Sequence, residues 1–122
     1  MMELLFSNGT DKLQITLPDR TLAAEEWFTA PLALQVGGLN FYISNEFQKE
    51  DFDFIFENLQ KLLSDGIPVE FSQIEDVLSF TLTPEDALGH YRISIKIRTP
   101  ETFIETSFVM CYSDIERMIP QR

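Results

Sequence analysis

The sequence predicts an α+β domain in which a mostly antiparallel sheet of hairpins packs on one long helix, with a short helix at the C-terminal end. Two features of the chain lead there. Apolar and polar residues alternate through most of it, as in strands with one buried face. A single long segment, Phe52 to Leu63, instead places its apolar residues at helical spacing. The 122 residues are the size of one domain, and no linker, low-complexity tract or repeat at solenoid spacing divides them, so residues 1–122 are expected to fold as one unit.

The first element is a hairpin. Met2 to Phe6 and Leu13 to Leu17 flank Asn8-Gly9, a dipeptide that accepts the positive φ of tight turns. Pro18 to Ala30 reads as irregular. A second hairpin follows, with Leu32, Leu34 and Val36 on one arm and Leu39, Phe41 and Ile43 on the other. Gly37-Gly38 joins the arms, which suits a two-residue turn.

The helix comes next. Phe52, Ile55, Phe56, Leu59, Leu62 and Leu63 form one apolar stripe. Asn45 with Gln48, or Ser44 before them, is placed to cap its start, and Glu50, Asp51 and Asp53 sit where the helix dipole favours negative charge. Gly66 and Pro68 end it. Strands then return: a short one at Val69 to Phe71, then Leu78 to Leu82, Tyr91 to Arg98 and Thr102 to Met110. Ser113 with Glu116 makes a capping box for a short helix near Asp114 to Ile119.

Composition bounds the function. Twenty acids against nine Lys and Arg give a formal net charge of −11. Phosphate backbones and anionic lipid repel such a chain, so neither nucleic acid nor membrane is the expected partner. A basic protein would be attracted, although acidity also serves solubility alone. Hydrophobic content is 44%, and eleven phenylalanines favour a core of large aromatic side chains. Cys111 is the only cysteine, so no internal disulfide forms. With neither a leader pattern nor a long apolar run, a cytoplasmic protein is expected.

Chemistry finds little footing. His90 is the only histidine, which excludes a two-histidine metal motif. Spacing leaves a Cys111–His90 pair open, but Cys111 closes an apolar run where a buried, inert thiol is the expectation. Neither a phosphate-binding glycine loop nor a nucleophile elbow occurs. No catalytic residue, cofactor or metal is therefore expected, and the chain reads as a non-enzymatic binding protein. A small enzyme built on carboxylates would need a deep pocket with strongly shifted acids.

One surface feature suggests binding. At about 100° per residue, Phe54 points away from the apolar stripe, with Glu50, Asp53 and Glu57 near it and Lys61 beside them. Aromatic residues anchor interfaces and an acidic surround selects a basic partner, so Phe54, Glu50, Asp53 and Glu57 are the candidate partner-binding residues. The pattern also allows Phe54 to be covered by the Trp27 segment or by a second copy. Trp27 is a second possible anchor, but a core position is the expectation for a tryptophan. Arg92, Lys96 and Arg98 share one strand face, and Glu101 and Glu105 are placed to face them as a charge ladder.

Glu26-Trp27-Phe28, an alternating strand, a glycine hairpin and Leu39-Asn40-Phe41-Tyr42-Ile43 lead into the helix Phe52 to Leu63. Val69-Glu70-Phe71, Leu78-Ser79-Phe80-Thr81-Leu82, Gly89 to Arg98 and Phe103 to Cys111 then precede the capped helix. This order resembles the WapI-type immunity proteins of bacterial polymorphic toxin systems, over about residues 22 to 120. The resemblance implies a cytoplasmic antitoxin that binds and neutralises a cognate secreted toxin domain, often a nuclease. The alternative is a housekeeping interaction module acting as a homodimer, through an exposed sheet edge or the Phe54 face.

Overall fold

Two four-stranded antiparallel meanders, each followed by a helix, make up the fold. The computed structural model describes residues 3–23, 25–73 and 77–119; Met2 of the expected first strand lies outside them. The first sheet runs β1 (Glu3–Ser7), β2 (Lys12–Thr16), β3 (Trp27–Val36) and β4 (Leu39–Gln48), and leads into α1 (Lys49–Asp65). The second runs β5 (Val69–Ser72), β6 (Leu78–Pro84), β7 (His90–Arg98) and β8 (Phe103–Cys111), and leads into α2 (Tyr112–Glu116). The class is α+β, as expected, but the single sheet on a dominant helix is corrected to two sheets and a helix of 17 residues.

Both hairpins at the start are set by their turns. Asn8 Oδ1 accepts from the Thr10 and Asp11 N–H groups at 2.9 and 2.7 Å, while Gly9 takes φ 92°. Gly37 and Gly38 have φ 55° and 89°, the pair of positive values that a type I′ turn requires and that matches strand twist. The β2–β3 ladder stops at Ile15 opposite Leu32. The next residue on β3 is Pro31, which has no N–H to donate.

Alternation decides the faces. Leu4, Phe6, Leu13, Ile15, Leu32 and Leu34 of the first sheet, and Phe80, Leu82, Ile93, Ile95 and Ile97 of the second, are buried in one shared core. Phe6 meets Phe80 edge-on across that core, with ring centroids 4.9 Å apart. Phe52, Ile55, Leu59 and Leu62 are the buried face of α1. Phe52 stacks on Phe28 at 5.7 Å and lies 5.6 Å from Phe47.

Several boundaries differ from those expected. The segment expected to be irregular ends sooner, because β3 begins at Trp27 and pairs with β4 as far as Gln48. Trp27 is exposed (44%) rather than in the core, since Phe28 takes the inward position of that strand and alternation sends its neighbour outward. The α1 cap is Gln48, whose N–H donates to Asp51 Oδ2 at 3.0 Å, and Gly66 closes the helix in the left-handed conformation with its N–H on Leu62 O at 2.9 Å. The short helix is capped by Cys111 with Asp114, two residues before the expected Ser113–Glu116 box.

Candidate protein-docking face

Positions 50, 53, 54 and 57 are spaced at i, i+3, i+4 and i+7, so Glu50, Asp53, Phe54 and Glu57 share one stripe of α1. All four are exposed. Phe54 is 45% exposed, and the ring beside it is Phe71 rather than Trp27. Its ring leans to one side, 6.4 Å from the buried ring of Phe71 on β5. Phe71 in turn lies 5.3 Å from Phe80, which meets Phe6. A continuous aromatic run thus links the surface ring to the centre of the core. The Phe71 contact backs the Phe54 ring on one side and leaves its other side exposed.

The carboxylates around it are only loosely engaged. Lys49 Nζ lies 3.6 Å from Asp53 Oδ2, and Lys61 Nζ lies 3.7 Å from Glu57 Oε1, each pair one helical turn apart and open to water. Such exposed pairs contribute about 0.3–0.5 kcal/mol, so a partner cation can displace either lysine at small cost. The stretch of chain that carries this helix is also acid-rich. Seven of the twenty acids but only two of the nine Lys and Arg lie between residues 46 and 70.

The basic strand β7 is engaged with its own neighbours. Arg92 makes a two-pronged pair with Glu85, Nε and Nη2 each at 3.0 Å, and donates from Nη1 to Ser107 Oγ at 2.9 Å. The Arg92 hydrogen bonds hold the Glu85 carboxyl below its ordinary pKa, and Glu85 raises that of Arg92. Lys96 stands opposite Glu105, as the expected ladder required, but Arg98 stands opposite Phe103 with its guanidinium 5.4 Å from the ring centre. Glu101 is not part of the ladder, because it sits in the turn between β7 and β8.

His90 and Cys111 are register partners across β7 and β8, so the pairing that spacing left open does bring their backbones together. Their side chains serve separate local structures. His90 Nδ1 is 2.8 Å from Asp86 Oδ2, and that hydrogen bond, with a second from the Leu88 N–H, keeps the Asp86 carboxyl below its usual pKa. Cys111 is half-buried rather than buried. Its Sγ lies 3.1 Å from both Asp114 Oδ2 and Ser113 Oγ as the cap of α2. Among the described residues, no group of three or more His, Cys, Asp and Glu could hold a metal ion. No helix among them is long and apolar enough to cross a membrane.

Two residues that matter to this face were not singled out from the sequence. Phe71, which braces Phe54, read only as the last residue of a short strand. Gln73 carried no signal at all, yet its buried amide joins the end of β4 to β6.

The structure therefore defines an α+β protein of two meanders that presents an acidic helix face with a braced aromatic ring. Residues 4–121 match the immunity protein WapI-like family, and the chain belongs to that family. No curated protein matches it. Among solved structures, the chain is similar in fold to one described as "Crystal structures of trypanosoma bruciei MRP1/MRP2". The TM-score is 0.56 at 10% identity, over 96% of this chain and 77% of that one.

Proposed function

We propose that this protein neutralises a cognate toxin domain by binding it through the α1 face around Phe54, without chemistry or cofactor of its own. Membership of a family of immunity proteins supports a toxin-binding role. The observation that carries the choice of face is the half-exposed Phe54 ring, backed by Phe71 and flanked on its own stripe by Glu50, Asp53 and Glu57. The ring supplies apolar area at the centre of the contact, and the carboxylates select a cationic rim. A nuclease toxin must present a cationic surface to hold phosphates, and an acidic inhibitor competes for that same surface. The protein then acts in the cytoplasm, where an incoming toxin would reach nucleic acid.

The test is co-expression with the toxin domain encoded beside the gene. Restored growth with the wild-type chain, and loss of that rescue with Phe54→Ala plus Glu57→Lys, is the expected outcome. Rescue that survives both substitutions would refute the assignment of the face, and failure of the wild type to bind or rescue would refute the function.

A further inference from the structure

Of the four sheet edges, three are blunted. β1 has five residues and opens on Glu3; β5 has four, follows Pro68 and contains Glu70. On β8, the Asn8 side chain donates to Val109 O at 3.0 Å. Short strands, charges and covering groups are the usual ways of keeping an edge from pairing with another chain. β4 is different: it has ten residues, and its Leu39–Ser44 stretch carries no charge and no proline. Tyr42, in its middle, is 70% exposed.

Backbone parity shows which groups this edge offers. The type I′ turn makes Val36 and Leu39 a pair that exchanges hydrogen bonds, so Leu34 with Phe41 and Leu32 with Ile43 do so too. Asn40, Tyr42, Ser44 and Glu46 therefore turn their N–H and C=O groups away from β3. Two observations agree. Pro31, without an N–H, stands opposite Ser44, where no donor toward β4 is needed. Glu46 O points outward and accepts from Gln73 Nε2 at 2.9 Å. Past that plug Ser44, Tyr42 and Asn40 are exposed, and none of the described residues covers their outward backbone groups.

We propose that this edge pairs with the same edge of a second copy, antiparallel, about a two-fold axis through Tyr42. In that register Tyr42 faces Tyr42 of the second copy and Asn40 faces its Ser44, so that about six backbone hydrogen bonds form. Phe41 comes beside Ile43 of the second copy on the inward side of the sheet, and both are only half-buried in the single chain. Glu46 falls opposite Gly38 of the second copy, so no like charges meet, which matters for two chains of net charge −11 each. A basic partner strand has no carboxylate on Leu39–Ser44 to select it, whereas self-pairing needs none. The result is a continuous eight-stranded sheet that leaves both Phe54 faces free to bind.

Sedimentation velocity from micromolar to millimolar protein, with no toxin present, tests this separately from the proposed function. The wild type should shift from monomer to dimer. Tyr42→Lys and Tyr42→Glu should each weaken self-association about tenfold or more, because the residue opposes itself across the axis. An equimolar mixture of the two variants should restore the dimer. Asn40→Pro, which removes an outward N–H and spares the β3–β4 bonds, should weaken it as well, with circular dichroism unchanged. A wild type that stays monomeric, variants that dimerise as the wild type does, or a mixture that stays monomeric would each overturn the proposal. If the wild type is monomeric and Tyr42→Lys abolishes toxin binding, the edge takes a strand of the toxin instead.

Discussion

Gln73 holds Glu46 from across the molecule: its Nε2 donates to Glu46 O at 2.9 Å, while its Oε1 accepts from Asn45 Nδ2 at 2.9 Å and from the Leu78 N–H at 3.1 Å. One amide, 7% exposed, thus ties the end of the first sheet to the second. Gln73→Leu keeps the volume and leaves the buried Leu78 N–H without its side-chain partner. It should cost about 1–3 kcal/mol by urea unfolding, the usual cost of one orphaned buried group. A loss under about 0.5 kcal/mol would mean that the amide is dispensable.

The two faces of α1 should respond differently to truncation. Leu59 is fully buried, and Leu59→Ala should cost about 2–5 kcal/mol. Phe54→Ala removes a half-exposed ring and one aromatic neighbour, and should cost about 0.5–1.5 kcal/mol. Thermal or urea unfolding of both variants decides; equal losses would contradict the facing of the helix.

Asp114 gives the C-terminal helix an acid-sensitive cap. Partial burial raises its pKa, but the Cys111 N–H, the Cys111 thiol and Arg117 together outweigh that and leave it lowered. Between the folded and the unfolded pKa, the folded chain binds fewer protons at this group than the unfolded chain does. Its contribution is therefore complete above the ordinary aspartate value and is lost as the pH falls through the lowered one. Asp114→Asn should flatten the acid limb of the stability–pH curve relative to wild type, and should cost about 1 kcal/mol near neutrality as a weakened cap. Parallel acid limbs in the two proteins would contradict this role.

Much of the local structure was legible because local rules decide it. The Gly37-Gly38 turn, the Phe52–Leu63 stripe, the Gly66 stop and the alternation of Tyr91 to Arg98 all appear where the residues place them. The division into two sheets was not legible. Alternation says that Leu13 and Ile93 each face a core, but it does not say which strand lies across from them. The doubling of a meander-plus-helix unit stayed hidden for a related reason: the two helices, of 17 and 5 residues, share no pattern. Trp27 misled because its size argued for burial, while its parity on a strand already anchored by Phe28 sent it outward. Gln73 gave no warning, since a lone glutamine after a short strand reads as loop.

At the candidate site, helical spacing revealed the stripe of carboxylates around Phe54 but not the brace behind it. That Phe71 would stand beside α1 follows from the β5 position in the fold, which is a long-range outcome. The brace adds an expectation to the charge argument. Charge reversal at Asp53 and Glu57 should mainly slow association and flatten its salt dependence, by steering. Loss of the Phe54 ring should mainly speed dissociation. Stopped-flow kinetics at two ionic strengths would separate these effects, and identical changes in both rates for both variants would contradict the division of labour.

Titration calorimetry of the cognate toxin domain with wild-type protein, Phe54→Ala and Asp53→Lys/Glu57→Lys is the most direct measurement. Stoichiometric binding that each variant weakens about tenfold or more, equivalent to about 1.4 kcal/mol or above, is the expected result. Unchanged affinity in both variants would contradict the assignment of binding to this face of α1.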